Sequence, residues 1–166
     1  MSTSDKRRQI LDRLFVSLSA IPQQLGYAQH SAFRNRGVLK TDKLPAVVLL
    51  DGSESHDVRT ENRGRMFMNA NIVTMTPQIF VLLVARNFPS NVAVGDELNA
   101  FRTAVIRAVA NDTQLASLCG PNGGVSLRRC ETDMQTGSTL EGQLRMDFAF
   151  KYVLDPYKLP VNDVTS

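Results

Sequence analysis

Two cysteines and two histidines are the whole supply of thiol and imidazole chemistry in a chain of 166 residues. Two thiols build neither a disulfide framework nor a four-thiolate zinc site, so Cys119 and Cys130 read as unpaired, reduced residues suited to a reducing cytoplasm. His30 and His56 both fall in polar stretches that predict loops. No apolar run approaches the ~20 residues of a membrane helix. The first apolar residues after Met1 already belong to a charged amphipathic pattern, which argues against a secretory leader. A strong charge of one sign is missing too: 19 basic against 16 acidic side chains leave +3. That balance does not by itself point to nucleic acid.

What the chain does have is an ordinary globular composition, 43% hydrophobic and 21% charged. Its length suits a single domain over 1–155 followed by an extended tail, 156–166. The clearest pattern lies at 140–155. Leu140, Leu144, Met146, Phe148, Phe150, Tyr152 and Leu154 share one parity; Glu141, Gln143, Arg145, Asp147, Lys151 and Asp155 share the other. A strand satisfies a period of two and a helix does not, so one face must meet a core and the other water or a partner. Such a strand is not stable alone and requires a sheet and a covering layer.

Upstream, Ser4-Asp5 predicts a helix cap ahead of Ile10, Leu11, Leu14, Phe15, Leu18 and Ile21, an apolar stripe at helical spacing that Pro22 limits. Residues 26–44 form a basic connection with room for a short extended piece near Ala32–Arg34. Ala46–Leu50 predicts a buried strand, turned by Asp51-Gly52 into a polar loop through Arg65. Met66–Met75 and Gln78–Arg86 predict two antiparallel strands separated by Thr76-Pro77. Asp96 predicts the cap of a second helix with Leu98, Phe101, Val105, Ile106 and Val109 on its stripe, and a short turn around Leu115 and Leu118 ends at Gly120. Val125–Met134, with Val125, Leu127 and Arg129 on one parity, then forms a hairpin with the last strand. The expected fold class is α+β: a two-layer sandwich of four or five mostly antiparallel strands with two helices on one face.

Constellations for chemistry are weak. Asp51, Glu54, His56 and Asp57 form the only cluster that suggests a hydrolase or a metal site. Its members are neighbours in one loop, without the alternate carboxylates of a calcium loop or a second imidazole for zinc. There is no Gly-x-Ser-x-Gly elbow, and Pro121-Asn-Gly-Gly lacks both a phosphate-loop lysine and dinucleotide glycine spacing. The expectation is a non-enzyme with no cofactor and no metal. Basic groups at Arg34, Arg36, Lys40 and Lys43, at Arg59, Arg63 and Arg65, and at Arg128 and Arg129 carry a competing expectation, a small nucleic-acid-binding module; only Phe33 is interleaved as a stacking platform.

Phe33-Arg34-Asn35-Arg36, Leu44-Pro45-Ala46-Val47-Val48-Leu49-Leu50-Asp51-Gly52, Met75-Thr76-Pro77-Gln78-Ile79-Phe80-Val81, the helix from Asp96 and the strand ending Phe148-Ala-Phe-Lys-Tyr152 appear in an order of elements that resembles another group of proteins. These are the tail terminator, or tail completion, proteins of long-tailed bacteriophages, the lambda-like minor tail protein family. The resemblance implies a virion structural protein that assembles in the host cytoplasm as a homohexameric ring at the neck. Such a ring caps the tail tube, ends its polymerisation, meets the head-tail connector or stopper and lets DNA pass without specific binding. Arg34, Arg36, Glu54, Arg59, Glu61, Arg63 and Arg65 are then the expected protein-interface residues. A related neck protein is the near alternative.

Overall fold

The computed structural model describes residues 5–28, 31–37, 39, 41–57, 71–120, 124–134, 141–155 and 159. Its elements run α1 (Lys6–Ser19), α2 (Ile21–Gln24), β1 (Ser31–Arg34), β2 (Ala46–Asp57), β3 (Asn71–Val84), α3 (Asn91–Ala110), α4 (Thr113–Cys119), β4 (Gly124–Met134) and β5 (Glu141–Leu154). The strands form one five-stranded sheet in the order β1-β2-β3-β5-β4. Only the β1–β2 pair is parallel. Helices and one sheet face enclose a single apolar core, the expected α+β sandwich. No helix among the described residues is long and apolar enough to cross a membrane.

β5 carries the predicted alternation. Leu144, Met146, Phe148, Phe150 and Tyr152 are buried in the core, and Gln143, Arg145, Asp147 and Lys151 lie on the other face. Its place between β3 and β4 gives the stretch from Gly142 to Lys151 a neighbouring strand on both sides. Each large side chain removed from water contributes up to roughly 1.5–3 kcal/mol. α1 starts at the expected cap, with the Asp5 carboxylate accepting from the Arg7 N–H at 3.2 Å. It buries Ile10, Leu11, Leu14 and Leu18. α3 buries Val94, Leu98, Phe101, Val105 and Val109. It approaches β5 at Gly142, where a Cβ would lie 2.5 Å from the Val94 Cγ1, so the missing side chain lets helix and sheet close.

Four expectations are corrected. β2 does not turn at Asp51-Gly52; it bulges there and continues through Ser53–Asp57, held by Ile72–Thr76 of β3. The loop expected from Ser53 to Arg65 is therefore strand up to Asp57, and 58–65 lies outside the described residues. β3 is one strand from Asn71 to Val84 with Pro77 inside it, not two strands paired with each other. Pro77 is accommodated because its missing N–H coincides with a gap in the β3–β5 ladder, between Met75↔Phe150 and Gln78↔Asp147, while on its other side it lies opposite the bulge of β2. α3 begins at Asn91, capped by the Ser90 hydroxyl accepting from the Ala93 N–H at 3.1 Å, and Asp96 lies within its second turn. In β4 a bulge at Arg128 reverses the parity, so Arg129 lies beside Asp147 on the open face.

These irregularities share one row. Asp51-Gly52 opposes Pro77, and the β3–β5 register between Met75↔Phe150 and Gln78↔Asp147 puts Pro77 opposite Phe148; Arg128 is the extra residue beside it. Gly52 has φ +69, and a Cβ there would sit 1.9 Å from the Thr76 carbonyl oxygen. No other residue fits without moving β3.

Candidate interaction surface

The sheet has a covered face and an open one, and each carries something its position does not require. On the covered side, where α1 reaches the β1–β2 edge, charged groups gather. Arg34 at the end of β1 grips Asp51 with two parallel hydrogen bonds, Nε to Oδ1 at 2.7 Å and Nη2 to Oδ2 at 3.0 Å, and donates Nη1 to Asp12 Oδ1 on α1 at 2.6 Å. Asn35, with φ 54, accepts from the Asp51 N–H at 2.9 Å. The Arg34 bonds hold the Asp51 carboxyl below the usual carboxylate range against the opposing effect of burial.

Next to it, Glu54 Oε1 lies 2.7 Å from Arg7 Nε. The Nε–H does not point along that line, so the contact is an ion pair without a directed hydrogen bond. Tyr152 donates its hydroxyl to the same Glu54 oxygen at 2.9 Å. Burial, then that bond and the charge on Glu54, push the phenol well above its ordinary value. His56 Nε2 is 3.4 Å from the other Glu54 oxygen. Of the four residues Asp51, Glu54, His56 and Asp57, only Glu54 and His56 meet: Asp51 belongs to Arg34, Glu54 also to Arg7 and Tyr152. Among the described residues no three His, Cys, Asp or Glu side chains are grouped to hold a metal ion.

A buried carboxylate ties the helices together. Asp112 caps α4, accepting from the Gln114 and Leu115 N–H groups at 3.0 and 3.1 Å through Oδ1. Its Oδ2 accepts from Arg13 Nε at 2.7 Å and Ser17 Oγ at 2.9 Å, both on α1. Burial alone would raise this carboxyl; the Leu115 N–H, Ser17 and Arg13 together outweigh it and set it below its usual value.

The open face is polar over β5 and β4. Arg145 meets Asp147 with Nε to Oδ1 at 3.0 Å and Nη2 to Oδ2 at 3.1 Å, and Arg129 lies 3.3 Å from Glu131. Near β1 it turns apolar. Because β1 and β2 are parallel, the chain must return along their length, and part of that connection passes over the open face. Arg36, Gly37 and Leu39 from the connection, with Val48, Leu50, Phe80, Leu82 and Gln143 from the sheet, enclose a groove of about 180 Å³. Val48 is buried, while Leu50, Phe80 and Leu82 are half-buried. Two arginines edge the groove: Arg36 stacks over Phe33 at 4.7 Å, and Arg145 stands 5.9 Å from the Phe80 ring centre. Along the row of bulges a second, polar cleft of about 440 Å³ is lined by Gly52, Ser53, Thr76, Gln78, Arg128 and Asp147.

Of the expected interface residues, Arg34 and Glu54 are engaged inside the chain on the covered side, and Arg36 is exposed at the groove. Arg59, Glu61, Arg63 and Arg65 lie outside the described residues. The groove itself, built on Val48, Leu50, Phe80 and Leu82, was not among the expected sites. Its signal was present in the unbroken apolar runs 46–50 and 79–85, which leave apolar side chains on both faces of β2 and β3. Both cysteines are unpaired, Cys119 buried at the end of α4 and Cys130 exposed on β4. Compared with models of known protein families and with curated proteins, the chain matches none.

Proposed function

We propose that this chain is a non-catalytic structural subunit that assembles with copies of itself into a ring, acting as a phage tail terminator at the neck between tail tube and head connector. The observation that carries the reading is the open sheet face, where a half-buried apolar groove sits beside paired charges on a surface that no other element of the described chain fills. A ring needs two different complementary surfaces on each subunit. One bare sheet face and a tail beyond β5 supply candidates for both. The order of elements and the helix-covered sheet agree with the resemblance to tail terminators, and the assignment to tube and connector rests on that resemblance.

The state of the arginines favours protein surfaces over phosphates. Arg7, Arg13, Arg34, Arg129 and Arg145 each lie within ion-pair distance of a carboxylate. Cations already paired offer little counterion release to a nucleic acid.

Light scattering and native mass measurement across a concentration series should show a closed oligomer, and electron microscopy should show it at one end of purified tail tubes. Arg59→Glu combined with Arg63→Glu should keep the circular dichroism spectrum and impair capping, because single exposed pairs contribute only ~0–1 kcal/mol and two reversals are needed. A monomer at every concentration that binds duplex DNA with steep salt dependence would overturn the reading in favour of a nucleic-acid module.

A further inference from the structure

The groove on the open face has room for about one large apolar side chain, less than the ~300 Å³ at which small-molecule pockets begin. Its walls, Leu39, Leu50, Phe80 and Leu82, are aliphatic or aromatic, with Gln143 as a polar end and Arg36 at the rim. The Arg36 guanidinium lies over Phe33 and has no carboxylate partner among the described residues. A peptide with alternate apolar side chains followed by an acid would match these features, with one apolar side chain filling the groove, its apolar neighbours lying along the half-buried rim and the acid meeting Arg36.

The chain carries such a peptide after β5. Tyr157, Leu159 and Val161 occupy alternate positions, with Lys158 and Pro160 between them, and Asp163 follows. Leu159 is 42% exposed, an apolar side chain left in water. Its own groove is out of reach. Phe80, at the groove's centre, pairs with Arg145, nine residues before the end of β5 at Leu154. Nine residues of strand span roughly 30 Å. Leu159 lies five residues beyond Leu154 and Val161 seven, so even a fully extended chain carries them at most ~18 and ~25 Å back. The groove and the tail are at opposite ends of the same strand.

We propose that the groove receives the 157–161 run of a second copy of this chain. The inference rests on the ring reading and specifies its contact. Each subunit offers a groove at one end of β5 and an apolar arm at the other, so binding is head to tail, the heterologous geometry that closes into rings. Proline at 160 limits the arm's freedom before binding and so lowers the entropy lost on docking.

The test uses full-length chains with Cys130→Ser. One preparation carries Leu159→Cys and the other Gln143→Cys; they are oxidised separately and as a mixture. A disulfide-linked heterodimer should form in the mixture well above the homodimers of either preparation. In the otherwise unaltered chain, Tyr157→Ser with Leu159→Ser should weaken self-association by about tenfold or more, and Leu82→Lys on the groove side should do the same. The tail pair guards against a groove substitution that merely unfolds the sheet. Rings that form normally in the tail variant, with no cross-link in the mixture, would overturn this inference and leave the ring reading standing. A chain that stays monomeric and gives no cross-link would overturn both. A cross-link in a chain that never closes into a ring would keep the contact and remove the ring.

Discussion

The two faces of the sheet invert the usual arrangement at one edge. Where α1 covers β1 and β2, the structure places Arg34, Asp51, Asp12, Arg7 and Glu54; on the uncovered side of the same strands it places Val48, Leu50, Phe80 and Leu82. The difference lies in how each group is satisfied. Each of these five charges has a partner of opposite sign at close range and keeps part of its surface in water. On the open side Leu50, Phe80 and Leu82 have only a short connection over them and remain half-buried. What separates the two faces at this edge is therefore whether each group has found its partner within the chain.

Substitutions at aromatic positions on the two faces should separate them most widely. Phe150→Ala, in the core at 0% exposure, should lower stability by about 3–5 kcal/mol. Phe80→Ala should cost no more than about 1–2 kcal/mol, since its ring is half-exposed and no closed cavity remains. Its larger effect should be on association. Chemical denaturation of both variants checks the pair, and equal midpoint shifts would break the comparison.

Asp112→Ala removes the cap of α4 and leaves Arg13 and Ser17 without their shared acceptor. A loss of about 1–3 kcal/mol is expected, with the α4 amides exchanging faster by hydrogen exchange.

Asp51→Asn tests whether the covered charges contribute as ions. The folded Asp51 carboxyl lies below its unfolded value, so its contribution is present above the unfolded pKa of about 3.9 and is lost as the pH falls through the folded value. The difference in melting temperature between the wild type and Asp51→Asn should therefore be largest near neutral pH and shrink in acid. A difference independent of pH would assign the role to shape alone. Asp147→Ala, on the open face, should change the melting midpoint least of the set, because it removes one surface partner of Arg145 and no packing.

These contrasts also show what the chain declares locally. β5 and α1 were legible because each repeats one period over nine residues: Leu144 to Tyr152 by twos, Ile10 to Leu18 by threes and fours. Ser53–Asp57 was not legible. Its residues are Ser, Glu, Ser, His and Asp, and it is a strand because Ile72–Thr76 offers it a ladder, a partner distant in sequence. Pro77 signals a break unless the pairing of its neighbouring strands is known. Asp96 is a good cap by residue type, yet Ser90 precedes it, and Val94 ahead of Asp96 finds a seat against Gly142 only in three dimensions. Of the candidate surface, Arg36 was visible as an exposed cation. The groove was hidden because an apolar run does not say which of its two faces the helices will cover.

The row of bulges has a consequence for how the strands find one another. β2 beyond the bulge is a polar segment, and a polar strand can pair a step or two out of place at little energetic penalty. Gly52, Pro77 and Arg128 act as index marks. A slip of β2 by one residue would push a side chain of β2 into the Thr76 carbonyl where Gly52 now leaves space, and a slip of β5 would lose the match between Pro77 and the gap in its own ladder. Alignment of the long strands is therefore encoded by three local irregularities and not by the hydrophobic pattern alone. The correct register of Glu54 with Met75, and with it the meeting of Glu54 with Tyr152, follows from a glycine two positions away.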